Sequence, residues 1–485
     1  MTDTTVRLRV LHTNDIHSHF EHMPSIASII RTQRAEAGED HTLTLDIGDH
    51  IDRVHPATEG TQGRANIAVL NAIGYDAVTL GNNEGLTLQP EILSRRYGEE
   101  AAFPVVLANM PEMASGTHPT WAVPYHIVVK SGIRVGLIGV TAPFAEFYNL
   151  LGWDVRDAVE TVRRLSRELR PQVDVLVVMS HLGIRSDERM AAEIEGIDLI
   201  LGGHTHHLIE EPLRIGRTAV CAAGKFGQYV GVVDLDLDSA SREIRKVESR
   251  VLASVTGEEA GDITSLIASY SEQASRVLDR EVVRLDRPLS VDWYGESQLG
   301  NVLAAGLRRR TGAEIGLVNA GQLLGGPLQG AVTAGRLLEL CPSPINPCRM
   351  KLTGAQLLRA LEESLLPEYM DKPLYGYGFR GKVLGTLCVD GMTIDYNPQG
   401  EPGAKIHSIF VGTEPLEPAR AYTVGTIDMF TFGIGYLSIS EGTERKFYLP
   451  EFLRDVLLKQ LHDKAVLQDS SRLRWIRLDA RRSTS

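Results

Sequence analysis

At 485 residues the chain exceeds one ordinary hydrophobic core, so two or three domains are expected. Its 43% hydrophobic and 23% charged content is that of a soluble globular protein. A net charge of −12 argues against general nucleic-acid binding, which needs basic surface, but not against small anions held through bound cations.

In chain order, Val6 to Leu11 is the first apolar run that reads as a buried strand, and it leads into Asp15-Ile16-His17. Leu43-Thr44-Leu45 leads into Gly48-Asp49, and Ala77 to Leu80 into Gly81-Asn82-Asn83-Glu84. Ile133 to Val140 is another buried-strand candidate. Val175 to Met179 leads into Ser180-His181, and Ile197 to Leu201 into Gly202-Gly203-His204-Thr205-His206. Tyr229 to Asp238 ends with period-two alternation, the pattern of a half-exposed antiparallel strand. Strands mixed with helices predict a layered α/β domain over residues 1–250. Ile263, Leu266, Ile267, Tyr270, Ala274 and Val277 then fall at helical spacing between about Gly257 and Arg280, which predicts a linker helix within 251–280. Residues 281–485 read as a second α/β domain without another close set of His and Asp, ending in a disordered Arg481 to Ser485.

Met1 to Arg9 shows no basic region followed by an apolar stretch, and no run of about 18 apolar residues exists, so neither a leader nor a membrane span is expected. Cys221, Cys341, Cys348 and Cys388 form no C-x-x-C pair and read as reduced thiols of a cytoplasmic protein, although Cys341 and Cys348 could approach one another.

The polar motifs all fall where apolar runs end, and sites in α/β sheets form outside the carboxyl ends of strands. Singly they are weak. Asp15-x-His17 is a common loop pair, Asp49 alone reads as a turn residue, Asn82 as a helix N-cap, and one His as a hydrogen-bonding residue. The glycines before His204 and His206 permit a tight backbone from which two imidazoles project. Together the motifs supply carboxylate, amide and imidazole ligands for two adjacent divalent cations, with Mn, Zn, Fe, Co and Mg all open. One cation would take Asp15, His17 and His206, and the other Asn82, His181 and His204. Asp49 would bridge them with its two oxygens. Such a pair generates a hydroxide nucleophile and neutralises phosphoryl oxygens, the chemistry of phosphate ester or anhydride hydrolysis.

The run Leu11-His12-Thr13-Asn14-Asp15-Ile16-His17-Ser18-His19, with the later motifs in this order, resembles the 5′-nucleotidase family of calcineurin-like metallophosphoesterases. Within it, the chain is similar to the bacterial 5′-nucleotidase/UDP-sugar hydrolase type, in an intracellular branch with Asn in place of the usual catalytic His. Glu296-Ser297-Gln298-Leu299-Gly300-Asn301 and Leu352-Thr353-Gly354 look like markers of that family's C-terminal domain. The resemblance spans nearly the whole chain. It implies a four-layer αββα sandwich carrying two divalent metals, a linker helix and a substrate-binding α/β domain. A nucleotide-like phosphorylated metabolite would bind between domains, and domain rotation would carry it to the metals. It implies substrate contacts at Asn319, Gly321, Phe379 and Tyr436.

Three departures bear on the substrate. The family's Gly-Asn-His-Glu reads Gly81-Asn82-Asn83-Glu84, so Asn83 stands at the catalytic position without a proton to give, and Leu86 replaces the Asp that follows. The family's Gly-Gly-Ile-Arg reads Gly321-Gln322-Leu323-Leu324, which removes a phosphate-binding Arg. Of two aromatic residues that sandwich the base, Tyr436 keeps the second, while the first aligns with Thr386 and Phe379 is its substitute. His55, His50, His19 and His207 are candidates for the lost acid, and Arg53, Arg185 and Lys225 for cationic phosphate contacts. Loss of an acid penalises an alkoxide leaving group more than a phosphoanhydride. A cyclic-nucleotide phosphodiesterase or UDP-sugar pyrophosphohydrolase is therefore the enzyme alternative, and a catalytically weak ligand-binding protein the other. Nucleic acid and membrane are not expected as partners, and the oligomeric state is open.

Overall fold

The structure, a computed structural model, describes residues 5–255 and 258–478. The expected tail Arg481 to Ser485 and the proposed helix start at Gly257 lie outside the described residues. The chain divides into two units, Met1–Ser275 and Arg276–Ser485.

The strands of the first unit are β1 (Thr5–Thr13), β2 (Thr42–Asp46), β3 (Ala77–Val78), β4 (Val105–Val106), β5 (Ala122–Val123), β6 (Tyr125–Lys130), β7 (Ile133–Thr141), β8 (Val175–His181), β9 (Leu199–Gly202), β10 (Leu213–Ile215), β11 (Thr218–Cys221), β12 (Tyr229–Asp238) and β13 (Ile244–Ala253). They build one sheet in the order β13-β12-β1-β2-β3-β4-β5 and another in the order β10-β11-β9-β8-β7-β6. β1, β2 and β3 run parallel, as do β7, β8 and β9, so their carboxyl ends lie at one edge of each sheet.

Alternation along the strands divides the core into layers. Leu8, Val10, Leu43, Leu45 and Ala77 of one sheet meet Val135, Leu137, Val175, Val177 and Leu199 of the other in a buried core between the sheets. Behind the first sheet, Leu11 and Val232 pack with Met23, Ile26 and Ile30 of helix Met23–Ala37 and Ile67 and Leu70 of helix Arg64–Ile73. Behind the second, Ile138, Val140, Leu176 and Val178 pack with Val162 and Leu165 of helix Ala158–Leu169 and Met190 of helix Ile184–Glu193. Helix Ala158–Leu169 shows why such segments fold: Ala158, Val162, Leu165 and Leu169 face inward at helical spacing, and the Asp157 carboxylate accepts from Glu160 N at 2.8 Å as an N-cap. The result is a helix–sheet–sheet–helix sandwich.

β12 is antiparallel to both β1 and β13, and its end keeps the expected alternation, Leu235 and Leu237 buried and Asp236 and Asp238 half-buried. The exception is Asp234, which is 5% exposed, and the acids find partners across the ladder. Arg9 Nε donates to Asp234 at 2.7 Å and Arg7 Nε to Asp236 at 2.7 Å, which offsets the cost of covering those carboxylates.

A helix spans Gly261–Leu278, within the segment 251–280. Ile263, Leu266, Ile267 and Tyr270 pack into the helical face of the first unit, and a Cβ at Gly60 would stand 2.7 Å from Ala274 Cα. Val277, expected on the buried stripe, is 53% exposed, and it lies beyond the unit boundary at Ser275. The second unit holds a five-stranded sheet with Ile315–Asn319, Ala421–Ile427 and Pro347–Thr353 among its strands, and helix Gln298–Thr311 packs on it. A Cβ at Gly316 would sit 2.0 Å from Ala304 O, so that helix crosses the sheet at a residue that must lack a side chain. All four cysteines are free and buried, and no helix among the described residues is long and apolar enough to cross a membrane.

Candidate metal centre

Two loops that leave β1 and β2 are laced together. Asp15 N donates to Gly48 O at 2.9 Å, His17 N to Asp49 O at 2.8 Å, Ser18 N to His50 O at 2.8 Å, and Asp52 N to Ser18 Oγ at 2.7 Å. Asp15, His17, Asp49, His204 and His206 all adopt φ between 48° and 71°, a region that costs an L-residue roughly 1–2 kcal/mol each. Surrounding hydrogen bonds hold this strain, and its concentration marks a functional site.

The side chains converge. Asp15 Oδ1 stands 3.4 Å from His206 Nε2, 3.8 Å from His17 Nε2 and 3.9 Å from His181 Nε2. Asp49 Oδ2 stands 3.3 Å from His181 Nε2 and 3.8 Å from His17 Nε2. Two groups can each surround one ion: Asp15, His17 and His206, and Asp15, Asp49 and His181. The second group takes in Asp15, whereas the sequence division gave His181 to Asn82 and His204. The His204 ring lies 5.4 Å from that of His181, and its backbone N–H is spent on Asp15 at 3.0 Å. Of the two Asp49 oxygens expected to bridge, Oδ1 accepts Asn83 N–H at 2.7 Å, and Oδ2 faces both groups.

The donor set fits cations. Asn82 Oδ1 and His181 Nε2 are buried without a hydrogen-bond partner, and orphaned acceptors of this kind are costly unless a ligand completes them. His181 Nδ1 lies 2.8 Å from Ile47 O, so it carries the hydrogen and leaves the Nε2 lone pair for coordination. Asn14 Nδ2 donates to Asp15 Oδ2 at 2.8 Å and fixes that carboxylate.

Charge is concentrated here. Burial opposes ionisation of Asp49, but His181, His17 and Asn83 N–H hold its carboxyl below the usual range. Burial likewise opposes protonation of His181, and with no cation present Asp49 and Asp15 overcome it, pushing His181 up to about 10; a cation at Nε2 would take the place of that proton. Burial and the neighbouring His181 hold His204 down at about 4, so it stays a neutral ligand-type imidazole. Glu84, one turn into helix Asn82–Thr87, accepts from Gly81 N, Asp49 N and Ile51 N at 2.9, 3.0 and 2.8 Å and joins two motifs.

The other predicted residues have specific places. Asn83 turns its amide toward the ligand set, Nδ2 lying 3.0 Å from His17 Nδ1. His55 is engaged as a helix cap, its Nδ1 accepting Ala57 N–H at 3.2 Å with its ring against Phe20, and burial lowers its pKa. His50 is fully buried and held down at about 3 by burial and His17, against Asn66. Arg53 is paired with Glu59 at 2.7 Å, and Arg185 is exposed on helix Ile184–Glu193. Lys225 lies with its ammonium 4.6 Å above the Phe226 ring, which itself touches His17, His19 and His206.

In the second unit, Asn319 is buried and donates to Leu384 O at 2.7 Å, and Gly321 has Val383 O 1.9 Å from where a Cβ would lie. Tyr436 and Phe379 are 0% and 4% exposed, and Tyr436 Oη donates to Gly385 O at 2.6 Å. Both are core residues, so neither presents a face to a base. Tyr377 and Phe432 are the more open rings, 53% and 38% exposed, with centroids 5.6 Å apart. Sequence reading missed this pair because alignment by motif does not report exposure. It also passed over Asp52, whose one signal is a carboxylate three residues after Asp49.

Residues 8–208 match the calcineurin-like phosphoesterase family and residues 276–437 the 5′-nucleotidase C-terminal domain. The chain is 37% identical to the uncharacterized metallophosphoesterase YunD of Bacillus subtilis over 94% of its length and 99% of that protein's. Its fold is similar to a 5′-nucleotidase precursor from Thermus thermophilus (TM-score 0.61, 23% identity, 98% and 99% of the two chains) and to a putative 5′-nucleotidase from Staphylococcus aureus (0.68, 18%, 97% and 99%). With a metal-ligand cluster at the strand ends and both domain types present, the chain belongs to the calcineurin-like metallophosphoesterases that carry a 5′-nucleotidase C-terminal domain, hydrolases of phosphate esters.

Proposed function

We propose that this chain is a two-cation phosphohydrolase acting on a phosphate ester or anhydride of a nucleotide-like metabolite in the cytoplasm. The observation that carries the reading is the convergence of Asp15, His17, Asp49, His181 and His206 around two ion-sized groups, with orphaned acceptors on Asn82 and His181. Bound divalent cations would supply Lewis acidity toward phosphoryl oxygens and lower the pKa of a coordinated water to about 7. His17 and His206, with Asp15, would hold one cation; His181, with Asp15 and Asp49, would hold the other, the orphaned Asn82 Oδ1 and the neutral His204 imidazole being further ligands open to it. Glu84 and Asn83 N–H fix Asp49, so the charge pattern needs no reorganisation as the phosphoryl group reacts. Tyr377 and Phe432 offer the exposed aromatic surface for a base. Four free, buried cysteines support the cytoplasmic assignment.

One observation favours an easily expelled leaving group. Asn83 cannot protonate an alkoxide, and its amide is engaged at His17. We therefore expect UDP-sugar or 2′,3′-cyclic nucleotide turnover to exceed AMP turnover under Mn²⁺. Asp49→Ala should abolish metal-dependent phosphate release, and turnover that survives in metal-stripped buffer would sink the reading.

A further inference from the structure

We infer that Asp52 is a positioning residue for His17, holding its imidazole in the one tautomer that can ligate a cation. The inference rests on the proposed two-cation site and names a carboxylate outside the ligand set.

His17 Nε2 faces Asp15 Oδ1 and Asp49 Oδ2, both at 3.8 Å, and His206 Nε2 at 3.3 Å. The nitrogen on the ligand side must offer a lone pair, so Nδ1 carries the hydrogen. A buried N–H needs an acceptor, and the charged oxygen on that side is Asp52 Oδ2, 3.6 Å away. That separation is longer than a formed hydrogen bond and closes with a shift of about 0.5 Å in either side chain.

Asp52 is held for this position. Its N–H donates to Ser18 Oγ at 2.7 Å, and Ser18 N donates to His50 O at 2.8 Å, so the residue after His17 clamps the loop that carries Asp52. Asp52 Oδ1 accepts Val54 N–H at 3.0 Å, a turn that leaves Oδ2 directed to the imidazole. The carboxylate is 6% exposed, so water does not screen the pair. Asn83 lies on the other side of the same nitrogen with Nδ2 at 3.0 Å, so an Nδ1–H requires its amide to turn and offer Oδ1 instead, giving up the 3.4 Å contact that Oδ1 accepts from Asn82 Nδ2. The residue at the family's acid position thus serves the ligand, together with Asp52, rather than the leaving group.

The test reads cation binding, not turnover. The full chain, stripped with a chelator, is titrated with Mn²⁺ and then Zn²⁺, with bound equivalents counted by elemental analysis. Wild type should bind two. Asp52→Ala should weaken one equivalent about 10- to 100-fold and leave the other within about twofold. Asp52→Glu should recover part of the loss. With Zn²⁺, the downfield Nδ1–H resonance of ¹⁵N-labelled His17 should be lost in Asp52→Ala. If that variant does not fold, Asp52→Asn, which keeps the shape and an oxygen for Val54 N–H, carries the test with an expected loss of about tenfold. Unchanged affinity for both equivalents in a folded variant overturns the inference. A wild type that binds no cation overturns the two-cation reading instead. A wild type that binds two yet hydrolyses nothing overturns the functional reading alone.

Discussion

Gly81→Ala isolates the role of Asp49 without touching a ligand. Gly81 has φ −89° and ψ −174°, a region that any residue adopts, so alanine brings no backbone strain. Its Cβ would instead stand 2.0 Å from Asp49 Oδ1, 2.5 Å from Asp49 N and 2.7 Å from Asp49 Cγ. Ordinary contact begins near 3.4 Å, so the carboxylate must move by more than 1 Å. It has little freedom to do so: Oδ1 holds Asn83 N–H at 2.7 Å, and Asp49 N is held by Glu84 at 3.0 Å. Overpacking of this kind costs about 1–3 kcal/mol in stability, and a 1 Å displacement at a reacting centre costs on the order of 100-fold in rate. The assay is kcat at saturating Mn²⁺ beside metal stoichiometry and thermal midpoint. Gly85→Ala is the control, because its Cβ would meet the buried Tyr148 ring at 2.6 Å instead of a ligand. It should lose stability and keep both cations. A Gly81→Ala enzyme with wild-type stoichiometry and a rate within twofold would refute the placement of Asp49.

Three further outcomes follow from the structure. Burial lifts the Asp428 carboxyl from 3.8 to about 7, opposed by the N–H groups of Asn346 and Met429. Because the folded pKa is the higher one, the folded state binds the extra proton and stability falls as pH rises from about 4 through 7. Asp428→Asn should remove that slope and gain stability at pH 8, by an amount on the order of 4 kcal/mol at most; parallel pH-stability curves would contradict this. Tyr436→Phe should lose about 1–3 kcal/mol with KM unchanged, whereas Tyr377→Ala should raise KM for a nucleotide substrate about tenfold with stability unchanged. A reversed pattern would return the base to Tyr436. Lys225→Ala should raise KM for phosphorylated substrates about tenfold while both cations stay bound, with Lys225→Arg restoring it; an unaltered KM would remove Lys225 from the site.

What could be read from sequence was whatever is local. β8 begins and ends within two residues of the apolar run Val175 to Met179, because a buried parallel strand needs continuous apolar side chains, and the ligands follow because loops at those ends are free to vary. β3 shows the limit. The four-residue run Ala77 to Leu80, apolar but for Thr79, gives only a two-residue strand, since Thr79 N is already committed to Asp46 O and the chain must turn for Gly81 to pass beneath Asp49. What could not be read was pairing across distance. Asp234 of β12 reads as an exposed position, yet it is buried against Arg9, 225 positions away. Tyr436 matched by position and yet lies in the core, where its hydroxyl is spent on Gly385.

Asn83 joins the two kinds of failure. From the motif alone it is a missing acid, a statement about what the residue lacks. Its structural meaning comes from His17, 66 positions earlier, and from the carboxylate of Asp52 on a third turn of chain. The short polar side chain at position 83 lies against the outer nitrogen of His17. The substitution that weakens leaving-group protonation is thus the one that admits a second contact to the ligand. That trade is selective in its cost: an acid is worth roughly 10²–10⁴ for a poor leaving group, and far less for a phosphoanhydride that departs unaided. On the proposed reading, a cation site held at the expense of the acid should favour an anhydride or activated ester over a nucleoside monophosphate, and equal turnover of the two would count against it.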